Sequence, residues 1–126
     1  MKLSKQYEGK RYTIYAIVCN DGSCPAIEYL ENVEKDNPSS YKSLINIIKR
    51  HAENSPILNE RKSRSIEGKK NLYEFKSTQG DRILYFYQLN RITVLTNGFH
   101  KGTPVEIEFQ KAIRLRDAYL SEVQYE

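Results

Sequence analysis

The sequence predicts an α+β fold in which an N-terminal helix pair covers one face of a four-stranded antiparallel or mixed sheet and a C-terminal helix follows. Three observations predict it. From Leu72 to Thr103 the chain breaks into three apolar, aromatic and β-branched segments joined by short connections, the pattern of a three-strand meander. Upstream lie one more β-branched run and two segments with apolar residues at helical spacing. Downstream stands Thr103-Pro104-Val105-Glu106, a helix start with a Thr cap, Pro at the first position and Glu three residues after the cap.

The first strand is expected over Arg11 to Cys19, which alternates and then runs apolar through Ala16-Ile17-Val18, and Asn20-Asp21-Gly22 ends it. Ser23 caps the first helix, with Pro25 in its first turn and Ile27, Leu30 and Val33 on one side. Asn37-Pro38-Ser39-Ser40 separates it from a second helix reaching about Glu53, striped by Tyr41, Leu44, Ile45 and Ile48. Asn54 to Lys70, with Pro56 and Gly68, lacks strong periodicity and reads as a helical turn plus a mobile link. The meander supplies strands at Leu72 to Lys76, Arg82 to Gln88 and Ile92 to Thr96. The last helix runs to about Leu120, its apolar side formed by Phe109, Ala112, Ile113, Tyr119 and Leu120.

A chain of 126 residues, 39% hydrophobic and 29% charged, fits one globular domain spanning 1–126 rather than a disordered segment. Its net charge of +4 favours an anionic partner, and the cations cluster. Lys62, Arg64, Lys69, Lys70 and Lys76 are followed by Arg82, Arg91 and Lys101, while many acids lie between Glu28 and Asp36 and at the carboxyl end. That asymmetry suits nucleic acid on one side and a protein contact on another. Cys19 and Cys24 flank a turn with neither histidine near, so no metal site is expected and both read as reduced thiols. Met1 to Tyr15 has no apolar core of signal-peptide length and no segment approaches a membrane span, so a cytoplasmic location without membrane partners is expected.

If Thr78, Gln79 and Gly80 form a hairpin loop, Lys76 and Arg82 face each other across it, like charges that an anion would relieve. With Tyr73-Glu74-Phe75-Lys76, Asp81-Arg82-Ile83-Leu84-Tyr85-Phe86-Tyr87, Ile92-Thr93-Val94-Leu95 and Gly98-Phe99-His100-Lys101 laid out, the carboxyl-terminal half resembles the HigB-like, phage-derived branch of the RelE toxin superfamily. That branch ends its third meander strand in Gly-Phe-X-Lys-Lys-Thr, and here Gly102 stands at the second Lys. The resemblance implies a RelE-like fold and the toxin of a type II toxin-antitoxin system. Such a toxin is a cofactor-free, metal-independent endoribonuclease that cleaves mRNA, usually on the ribosome, and is silenced by a helix-turn-helix antitoxin. RNA cleavage of this kind needs no protein nucleophile, because the 2′-hydroxyl attacks the adjacent phosphate and side chains only orient, exchange protons and stabilise charge. A catalytically inactive RNA-binding or antitoxin-binding module of the same fold is the alternative.

Among candidate residues, Arg82 grips a phosphate at two oxygens or, on a plainer reading, pairs with Glu74 or Asp81. Lys101 precedes the last helix, whose free N–H groups share any phosphate it binds, or is an ordinary loop lysine. Lys76 assists Arg82 or is a solvated hairpin charge. His100 is the candidate acid or base. Arg64, Lys69, Lys70 and Arg91 are expected to bind RNA. Tyr85 and Tyr87 alternate away from Arg82 toward the core, or stack bases if that face is open, Tyr119 and Tyr125 are placed to line a cleft, and His51 reads as a surface histidine.

Overall fold

The computed structural model describes residues 1–53 and 63–124. Among these residues three helices, α1 (Pro25–Asp36), α2 (Pro38–Glu53) and α3 (Val105–Gln124), accompany six strands. These are β1 (Lys2–Glu8), β2 (Thr13–Val18), β3 (Ser63–Ser65), β4 (Tyr73–Lys76), β5 (Asp81–Gln88) and β6 (Ile92–His100). They form one mixed sheet in the order β1-β2-β6-β5-β4-β3, with β2 and β6 parallel and the other neighbours antiparallel.

The fold is α+β as expected, but six strands replace the expected four. The two additional ones are the outer strands. β1 carries mostly exposed or half-buried residues, among them Lys2 and Lys5, and its pairing with β2 slips between Lys5 and Tyr7. A basic, bulged outer strand resists pairing with other chains and also lacks the apolar alternation that announces a strand. β3 has only three residues, within the tract expected to be a helical turn and link. Residues 54–62 of that tract lie outside the described residues.

A second correction concerns the faces. Ile83 and Tyr85 of β5 pack with Ile14, Ala16 and Leu95 beneath Leu30, Leu44 and Ile48 of α1 and α2. Leu84 and Phe86, their neighbours in sequence, pack on the opposite side, where Ala112 and Tyr119 of α3 join Leu72, Phe99, Val94 and Ile17. The sheet is therefore covered on both faces, and residues on the Arg82 side are not automatically open to solvent. Tyr85 is 1% exposed, a core residue as its alternation implied.

Helix α1 begins at Pro25 with Cys24, not Ser23, at its N-cap, where the Cys24 N–H donates to Glu28 Oε2 at 2.7 Å. In α2 the buried set is Ser40, Leu44, Ile47, Ile48, His51 and Ala52, so the helix is rotated relative to the expected Tyr41-Leu44-Ile45-Ile48 stripe. The rotation turns two polar residues inward, and each finds a partner there.

His51 is one of them and is not a surface histidine. It is 8% exposed, bonds through Nε2 to Thr93 Oγ1 at 2.8 Å and stacks on Tyr12 with centroids 4.5 Å apart. Burial, helped by the charge of Arg11, lowers its pKa to about 4. Protonation thus favours the unfolded chain, and this part of the stability is fully present above pH ~6.5 and drains as pH falls toward ~4. Between pH 7 and 4.5 the loss assignable to His51 should be about 2–3 kcal/mol, and His51→Gln should remove that share of the pH dependence. Urea unfolding at both pH values checks it; an equal pH dependence in wild type and variant would show that His51 does not titrate on unfolding.

Candidate functional site

The β4–β5 hairpin closes through Ser77 N–H to Asp81 O at 2.9 Å and Gly80 N–H to Ser77 O at 3.1 Å, with Gly80 at φ +94°. Glycine supplies that left-handed turn without strain. Lys76 then pairs with Arg82 across the ladder, the register the loop predicted. On the other side of β5, Asp81 pairs with His100 and Arg82 with Phe99. The Lys101 N–H donates to Gly80 O at 2.9 Å, and a Cβ placed on Gly80 would meet Lys101 Cδ at 2.6 Å, so the Lys101 stem lies across the turn. Four expected site residues, Lys76, Arg82, His100 and Lys101, are thereby gathered at one end of the sheet.

They are not on one face. Arg82 lies on the α3 side, its guanidinium carbon 5.6 Å from the Phe99 ring centre and its Nη1 3.7 Å from Glu74 Oε2. Glu74 is fully buried, and its other oxygen accepts Arg64 Nε–H at 2.8 Å. One sequestered carboxylate thus serves two arginines. The Arg82 contact is too long for a hydrogen bond, and among the described residues both Glu74 Oε2 and Arg82 Nε lack a hydrogen-bond partner. A cleft of about 390 Å³ opens beside the pair, lined by Arg64, Ile66, Arg82, Val105 and Phe109 among others. Arg82 is therefore paired with Glu74, as the plainer reading held, yet retains an uncommitted N–H beside a cleft.

On the α1–α2 side the centre is Asp81, 6% exposed. Its Oδ1 accepts the Tyr29 hydroxyl at 2.5 Å and lies 3.0 Å from His100 Nδ1, and its Oδ2 accepts the Ser40 hydroxyl at 2.5 Å. Ser40 and Ser77 share a hydrogen bond of 2.7 Å, and the Asp81 N–H donates to Ser77 Oγ at 3.0 Å. Burial alone would raise the Asp81 carboxyl, but the bonds from Ser40, Tyr29 and His100 outweigh it and hold it below the ordinary carboxylate value. The Tyr29 phenol moves the other way, raised by its own burial and by Asp81.

The remaining candidates separate. Arg64 joins Arg82 through Glu74. Lys69 is paired with Glu106 at 2.7 Å, while Lys70 is exposed nearby. Arg91 sits in the β5–β6 turn, at the far end of β5 from Arg82, beside Lys10, Arg11 and Tyr12, so it belongs to a different region of the surface. Tyr119 is buried against Phe86 rather than lining the cleft, and Tyr125 lies outside the described residues. Gly102 has φ +95°, and a Cβ added to it would point into open space, so a lysine there would meet backbone strain and no steric block.

Glu74 as a shared buried acid, and Asp81 with Tyr29, Ser40 and Ser77, were not singled out from the sequence. The available signal was phase. Asp81 shares the alternation of Ile83 and Tyr85, and Glu74 that of Leu72, so each is an acid at a core position of its strand.

Cys19 and Cys24 are unbridged, and among the described residues no helix is long and apolar enough to cross a membrane. A family model described as Phage derived protein Gp49-like (DUF891) matches residues 28–115. No curated protein gives a significant match.

Proposed function

The chain belongs to the phage-derived Gp49-like family, a family of RelE/HigB-type toxin-like proteins, and on that footing we propose that it is a single RelE-like domain acting as the toxin of a type II toxin-antitoxin pair. Its activity is metal-independent cleavage of mRNA on the ribosome, in the cytoplasm, and its silencing partner is a helix-turn-helix antitoxin. The observation that carries the reading is the gathering of Lys76, Arg82, Lys101 and His100 at one sheet end.

An RNA strand crossing that end would meet Arg82 and Lys76 from the α3 side and His100 from the other, with Lys101 on the rim between them. In the reaction O2′ loses its proton and bonds to phosphorus, the P–O5′ bond breaks, and O5′ takes up a proton. The products are a 2′,3′-cyclic phosphate and a 5′-hydroxyl. The cations oppose the charge that builds on the phosphorane oxygens. Arg64 of β3 and Lys69 and Lys70 of the loop after it extend the basic surface.

Lys101 is the cleaner probe, because it is exposed and Arg82 is tied to a buried acid. Lys101→Ala should lower cleavage of ribosome-bound mRNA by roughly 10²-fold while leaving the melting curve close to wild type. Intact mRNA with the folded wild type would sink the nuclease reading. The uncommitted but shielded Arg82 supports a second reading, an RNA-binding module without turnover; salt-dependent RNA binding in the absence of cleavage would favour it.

A further inference from the structure

We infer that Asp81 is the positioning residue of a proton-transfer site on the α1–α2 side of the sheet end, holding the His100 imidazole so that its Nε2 is the atom that takes the proton from RNA. The inference rests on the endoribonuclease reading above.

Asp81 is tied down from several directions. Tyr29 comes from α1, Ser40 from α2, and Ser77 from the hairpin through the Asp81 N–H. The Tyr29 ring is itself seated on Gly98, where an added Cβ would overlap Tyr29 Cδ2. With both oxygens engaged, the carboxylate has little freedom to rotate. This is more anchoring than a strand-opening aspartate needs, and two of the hydroxyls supplying it come from helices whose sheet-facing residues are mostly leucine, isoleucine and alanine.

The remaining partner is His100, whose side chain is 53% exposed although its Nδ1 bonds to this nearly buried acid. An ionised carboxylate only accepts hydrogen bonds, so Nδ1 must carry the hydrogen. In the neutral ring the lone pair then resides on Nε2. An exposed imidazole with a fixed tautomer, oriented by a buried acid, is the arrangement a general base requires. Nε2 takes the O2′ proton as O2′ bonds to phosphorus; the imidazolium that forms is stabilised by the adjacent Asp81 charge. The P–O5′ bond breaks, O5′ takes a proton from water, and the imidazolium returns its own to water, so protons balance over the cycle. Asp81 itself touches no RNA.

A structural role for Asp81 would also explain its anchoring, and the test separates the two. Long-range ¹H–¹⁵N spectra of the protein without RNA, recorded where the ring is neutral, should show His100 protonated on Nδ1. Asp81→Asn should move the population toward Nε2–H. The same substitution should lower kcat for RNA cleavage by roughly 10²–10³-fold with KM changed less than about threefold. If Asp81→Asn fails to fold, Tyr29→Phe keeps the carboxylate and removes one anchor; it should lower kcat about tenfold and retain the Nδ1–H form. A wild-type ring protonated on Nε2, or cleavage that Asp81→Asn (or, in its place, Tyr29→Phe) leaves undiminished, overturns the inference and spares the endoribonuclease reading. No cleavage by the folded wild type overturns both, whatever the tautomer.

Discussion

Arg82→Ala should lower the unfolding free energy by about 3–5 kcal/mol, because it strips a partner from a carboxylate that has no contact with solvent. Arg64, whose side chain is 54% exposed, is then the remaining partner of Glu74 among the described residues. The cost comes from leaving the buried charge with one half-exposed partner rather than from the value of a 3.7 Å contact. A second change follows from that argument. Glu74→Gln on the Arg82→Ala background replaces the stranded carboxylate by a neutral amide and should recover about 1–2 kcal/mol. Urea unfolding of the wild type, both single variants and the double variant closes the cycle. An Arg82→Ala loss below about 1 kcal/mol would mean that water reaches Glu74 and that the pair is ordinary surface electrostatics. Reduced RNA cleavage by Arg82→Ala must therefore be compared at equal folded fraction before any of it is assigned to phosphate binding.

The second large effect is expected at Gly98. Its backbone is not left-handed, so an L-residue could adopt the conformation; the obstacle is space. A Cβ there would overlap Tyr29 Cδ2 and lie 2.7 Å from Tyr29 Cγ and 2.8 Å from Ile83 Cδ1. One obstruction is a ring lodged between helix and sheet, which cannot swing aside as a long aliphatic chain can. Gly98→Ala should cost about 2–3 kcal/mol and pull the Tyr29 hydroxyl away from Asp81. Tyr29→Leu on that background should restore part of the stability, giving a coupling of about 1 kcal/mol or more between the two sites. Additive losses would show that the strain is relieved elsewhere.

Both effects arise where the sequence was partly legible. The meander was readable because each strand carries its own apolar, β-branched signal, and the Lys76–Arg82 register follows from the hairpin loop alone. The start of α3 was announced by local capping chemistry to within one residue. The outer strands were not readable, since Lys2–Glu8 is held by pairing with β2 rather than by burial. The rotation of α2 escaped for another reason. Ser40 and His51 are buried because Asp81 and Thr93 await them across 41 and 42 residues of sequence, and an apolar stripe cannot report a polar residue that satisfies itself so remotely. The site divides in the same way. Its cations were visible as residue types, whereas the two buried acids that organise them became visible only once β4 and β5 were set against both layers of helix.

The parallel pairing of β2 with β6 has a temporal consequence. β2 ends at Val18, and the partner for its inner edge begins only at Ile92. As the chain is synthesised, that edge stays open until two helices and three further strands have emerged, and β6 must then slot between β2 and β5. Such long-range closure makes central docking a late event in folding. His100 and Lys101 lie at the trailing end of the strand that docks. A nascent chain halted before that strand carries the cations of β4 and β5 but none of the geometry that joins them to His100, so the site comes into being in a single late step and truncated products are expected to be inert.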